Sequence, residues 1–128
     1  MKLFLCSLIV AGTAILSACP GQPIQNTTYD VIVAAKAFLD NTKTQHPECG
    51  NGTQPSSTVC VDLAKATSAK DALIDALEDY CAGPDFTTGT GPCDAPTSGT
   101  STATQLTAKL NAAIASYNQT ATDLKGVL

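Results

Sequence analysis

Residues 58–82 constrain the fold more than any other stretch, because a single helix there would carry a cysteine near each end. Val59, Leu63, Ala66, Leu73, Ile74, Leu77 and Cys81 recur at three- and four-residue steps, the spacing that gathers side chains on one face of an α-helix. Gly83-Pro84 follows and supplies the stop, since glycine accepts the left-handed turn after a helix and proline cannot continue one. At a rise of about 1.5 Å per residue, Cys60 and Cys81 would stand about 30 Å apart. A disulfide needs Cα atoms within about 7 Å. Each of these cysteines must therefore find a partner at its own end of the helix.

Two further stripes resemble the first. Thr28, Val31, Ile32, Ala35, Phe38, Leu39 and Thr42 predict a helix over about 27–43, with Asn26, Thr27 and Thr28 as candidate caps. Tyr29 and Val33 fall off that stripe. Ala103, Leu106, Leu110, Ala113, Ile114, Tyr117, Ala121, Leu124 and Leu128 predict a third helix over about 102–128. Its other face, with Gln105, Asn111, Ser116, Asn118, Gln119 and Thr122, is polar and nearly uncharged. Alternation of apolar and polar residues never persists, so no strand is expected. The segments between the stripes, 44–57 and 83–101, are loops rich in Gly, Thr and Pro. The expected fold is all-α: a small up-down-up three-helix bundle over 27–128. With no tryptophan and three phenylalanines in the chain, its core must be mainly aliphatic side chains and alanine.

The N-terminus places this bundle. Met1-Lys2 and the mostly apolar residues 3–16 have the form of a signal peptide and fall short of the roughly 20 residues that span a bilayer. Leu16-Ser17-Ala18-Cys19, which ends the apolar run, closely resembles the lipobox of bacterial lipoproteins. That resemblance implies removal of residues 1–18 and acylation of Cys19 by palmitate-type chains, leaving residues 19–26 as a lipidated tether. Two or more acyl chains suffice for stable anchoring. Pro20 is not the aspartate that often marks inner-membrane retention in Gram-negative lipoproteins, so the resemblance points to the outer membrane, facing the periplasm.

Cysteine parity follows. Cys6 would leave with the signal peptide and Cys19 would carry lipid, so Cys49, Cys60, Cys81 and Cys93 remain for two disulfides in an oxidising compartment. Cys49 precedes the middle helix and Cys93 follows it, which predicts Cys49 paired with Cys60 and Cys81 with Cys93. Each bond would pin one loop and contribute on the order of 3 kcal/mol.

The remaining chemistry is sparse. Seven basic residues stand against eleven acidic ones, and none of the seven is arginine, which argues against nucleic-acid or phosphate recognition. His46 is the only histidine; with Cys49 it suggests half of a metal site or a Cys-His pair, but one histidine cannot complete a structural zinc site and the cysteines are assigned to disulfides. No metal or cofactor is expected. On the middle helix, Asp71, Asp75, Glu78 and Asp79 crowd the face opposite the stripe, where each like-charge pair costs a few tenths of a kcal/mol. Such a face is solvated, draws a basic partner or weakly holds a cation, though it lacks EF-hand spacing. Lys70 lies within the apolar stripe and is expected to pack its stem while its ammonium reaches water. No nucleophile elbow, His-Glu-x-x-His motif or phosphate-binding loop occurs. The expectation is a membrane-anchored envelope lipoprotein acting as a non-enzymatic structural or protein-interaction module, with an envelope protein or peptidoglycan as partner. The alternatives are a helical lipoprotein that binds a small ligand or cation and, after it, an enzyme.

Overall fold

A computed structural model of the chain describes residues 23–50, 57–81 and 103–128. The three apolar stripes form three α-helices: α1, Ile24–Gln45; α2, Thr58–Cys81; and α3, Ala103–Val127. A 3-10 turn, Pro47–Gly50, follows α1. No strand occurs among the described residues.

Helix α1 starts three residues before the expected boundary, so residues 24–26 are helical and not part of a tether. The reason is Pro23, which takes the N-cap position at φ −55° and ψ 142°. Its missing N–H costs nothing at a helix start, where the first amides have no intrahelical partner. Its carbonyl accepts from the amides of Asn26 at 3.0 Å and Thr27 at 3.2 Å. Asn26, Thr27 and Thr28 therefore lie inside the helix and do not cap it. Thr28 is fully buried, and its hydroxyl donates to the Ile24 carbonyl at 2.8 Å. Thr42 repeats the device toward Phe38 at 2.9 Å. Each hydroxyl can face the core because its partner lies one turn back on the same helix.

Helix α2 starts where its stripe begins. Ser57 sits just outside it, accepting the Val61 amide on its carbonyl at 3.1 Å and the Cys60 amide on its hydroxyl at 3.3 Å. That is the N-cap arrangement serine favours. Helix α3 ends at Val127, and Leu128 lies beyond it with 54% of its surface exposed. Its expected place in the apolar stripe is thus corrected: a residue past the last helical turn no longer follows the helix's face.

The core draws on all three helices. Leu39, Leu73, Leu77, Leu110 and Leu124 are its largest fully buried residues, each burial worth about 1.5–3 kcal/mol in transfer free energy. Ala35, Ala66 and Ala76 are buried between them and leave room for close helix approach. Helix α2 packs most extensively on α3 and less on α1, and α1 touches α3 least. Being covered on two sides, α2 buries a wider arc than a single stripe. That arc takes in Ala76 and Tyr80, both outside the expected set. Phe38 is only half-buried, with the Lys125 ammonium 5.3 Å from its ring centroid, an attractive cation–π geometry between α1 and α3.

Candidate functional site

Two regions of the bundle collect polar chemistry. The first is the junction of α1 and α2. Helix α1 is C-capped by His46, whose amide still donates to the Thr42 carbonyl at 2.9 Å, and Pro47 opens the 3-10 turn that carries Cys49 to the first turn of α2. Cys49 and Cys60 form a disulfide there, with Cα atoms 5.1 Å apart. This is one of the two pairings expected from the helix geometry. Cys81 is not a free thiol, but its pairing with Cys93 involves a position outside the described residues, as does the lipidation of Cys19.

Beside the disulfide, His46 Nδ1 lies 2.9 Å from Glu48 Oε1. That hydrogen bond to the imidazole is the main cause holding the exposed Glu48 carboxyl below its ordinary 4.5. His46 is therefore turned to Glu48, and the Cys49 sulfur is spent in a disulfide, so no Cys-His nucleophile exists in this oxidised state. The Glu48 carboxylate and the sulfurs of Cys49 and Cys60 lie within 4.8 Å of one another. A cavity of about 380 Å³ opens next to them, lined by residues including Lys43, His46, Cys49, Cys60 and Thr67.

The second region is the acidic face of α2. The structure divides it. Asp71 accepts from the Lys70 ammonium at 2.8 Å, while the Lys70 side chain is only 16% exposed. Its stem packs and its charge reaches the surface. At the other end, Asp79 pairs with Lys109 of α3. Asp75 is exposed and Glu78 half-buried between these two pairs. The four carboxylates thus do not act as one unopposed field, since two carry cations of their own. Asp62, missing from the expected site, is buried one turn after the start of α2, with Lys65 Nζ at 3.2 Å. An Asp-x-x-Lys spacing is the signal that would have found it.

Elsewhere the surface is plain. Val33 is 52% exposed, whereas Tyr29 packs against the core. The polar face of α3 binds itself in part, Gln119 donating to Asp123 at 2.9 Å. Among the described residues no helix is long and apolar enough to cross a membrane.

These features define an all-α, disulfide-stapled helical bundle with an acidic, internally paired face. Compared with known proteins, the chain matches no family model, no curated relative and no solved structure.

Proposed function

We propose that the protein is a lipid-anchored lipoprotein of the bacterial cell envelope whose bundle serves as a non-enzymatic structural or protein-interaction module. The observation that carries this reading is Leu16-Ser17-Ala18-Cys19 at the end of an apolar N-terminal run. The Cys49–Cys60 disulfide supports it, because such bonds persist in oxidising compartments. Under this reading the chain begins at Cys19, carries acyl groups there, and follows an up-down-up course with Cys81 joined to Cys93. The course is supported by contacts at helix ends: Lys109, early in α3, meets Asp79, late in α2, while Lys125, late in α3, lies over Phe38, late in α1. The outer membrane is its proposed location, facing the periplasm. A basic segment of an envelope protein, or peptidoglycan, is the partner class for the bundle surface.

Intact-mass analysis of membrane-extracted protein tests the reading directly. The expected mass is that of residues 19–128 plus acyl groups, less four hydrogens for two disulfides. A soluble chain retaining residues 1–18, or one cut before an unmodified Cys19, would sink it. In-cell crosslinking should then retrieve a specific envelope protein or peptidoglycan fragment.

A further inference from the structure

We propose that the cavity between the end of α1 and the start of α2 binds the free carboxylate end of a short peptide whose last residue is small and apolar. The site deepens the interaction-module reading, on which it rests for a partner but not for its geometry, and it belongs to the oxidised protein with the Cys49–Cys60 disulfide intact.

The cavity, of about 380 Å³, falls within the span of about 300–1,000 Å³ usual for small-ligand sites. Three elements wall it: the last turn of α1 with Lys43, the 3-10 turn with Pro47 and Cys49, and α2 with Leu63 and Ala64. The disulfide joins the 3-10 turn to α2, with Cα atoms 5.1 Å apart. Two walls are thus covalently tied before any ligand arrives, so binding does not have to order them. Leu63, almost fully buried in the bundle, and the staple beside it provide an apolar floor, which suits a methyl-sized side chain.

Two polar groups define the end of the ligand. Lys43 is the only lysine, aspartate or glutamate among the described residues lining the cavity, and its ammonium makes no ion pair among the described residues. The last carbonyls of α1 and the nearby Glu48 make these surroundings negative, so an anion is held there through Lys43 alone. His46 is the second group. Its Nδ1 lies 2.9 Å from Glu48 Oε1, and an ionised carboxylate only accepts, so Nδ1 carries the proton and Nε2 of the neutral ring is an acceptor. A ligand matched to both groups presents a carboxylate to Lys43 and an N–H donor to His46. A peptide C-terminus carries the two on either side of one Cα. A fatty acid or a phosphate lacks the N–H, and an amine lacks the anion.

The test titrates the full oxidised chain, labelled with nitrogen-15, with N-acetyl-alanyl-alanine and follows the amide shifts. The expected result is saturable shifts at Lys43, His46, Cys49, Leu63 and Thr67, with a Kd on the order of 1 mM. Affinity should fall about 5-fold when the ligand is the C-terminal amide or the protein is Lys43→Gln, the upper end for an exposed ion pair. Lys36→Gln, on the same face of α1 two turns earlier, should leave affinity unchanged. Butyrate, which has the carboxylate without the N–H, should bind more weakly than the dipeptide. Ala64→Phe, at an exposed position of α2, should fill the cavity and abolish binding with circular dichroism unchanged. The D,D and L,L dipeptides separate the sources of the same chemistry: a D,D preference points to peptidoglycan stems and an L,L preference to a protein C-terminus, and either supports the site. The proposal is overturned by the absence of saturable shifts, by shifts away from the cavity, by equal affinity for the amide or butyrate, or by unchanged affinity in Lys43→Gln. Such a failure strikes this site alone, because the lipid on Cys19 is read independently by intact mass.

Discussion

Tyr117 contributes to the alkaline limb of the stability curve. It is 4% exposed on the core face of α3, and burial raises its phenol from 10.0 to about 12, because the charged phenolate is poorly solvated there. The folded chain then holds this proton more tightly than the unfolded chain. Its contribution is therefore fully present below pH 10 and is lost as pH rises through the window from about 10 to 12. Tyr117→Phe should flatten that limb of stability, as read by urea denaturation at a series of pH values. A curve identical to that of the parent protein would remove Tyr117 from the account. Leu77 is fully buried, where helix α2 meets the core, and Leu77→Ala should cost about 2–5 kcal/mol through lost transfer energy and an unfilled cavity. Both residues were legible in the sequence as members of apolar stripes. The hydroxyls of Thr28 and Thr42 were legible only as positions: that each would return to its own helix's backbone depends on side-chain rotamers, which periodicity does not specify.

At the level of elements, helix period carried most of the information, since it is local and each stripe can be read alone. The extra arc of α2 could not be read this way. Ala76 and Tyr80 are buried because α2 lies against two helices, a property of the assembly. Nor could the pairing of Asp79 with Lys109, which joins residues 30 positions apart. Of the candidate site, the Cys49–Cys60 staple was legible because helix length forbids joining Cys60 to Cys81 and Cys49 lies on the loop at Cys60's end of the helix, whereas Glu48 carries no periodic or motif signal and meets His46 only through the 3-10 turn. Replacing both Cys49 and Cys60 by serine should lower stability by about 3 kcal/mol, measured by denaturant unfolding of the oxidised proteins. By contrast, Asp79→Asn should change stability by less than about 1 kcal/mol, since both partners of its ion pair are exposed. That small effect should fade further in high salt.

For the whole molecule, α2 is the shared partner, and α1 depends on it far more than on α3. If Cys19 is the anchor, Cys19→Ser should move the protein from the membrane fraction to the soluble fraction or leave it as an unprocessed precursor, without altering helical content. Fractionation and circular dichroism check this together. The same arrangement has a mechanical consequence. A pull applied at the N-terminal end of α1 enters at Pro23, runs along the helix and reaches the staple, where the covalent bond carries it from Cys49 straight to Cys60. The chain between those two cysteines is then shielded from the load. In single-molecule stretching, reduction should lengthen the fully extended chain by roughly 35 Å, the reach of about ten residues at 3.3–3.6 Å each.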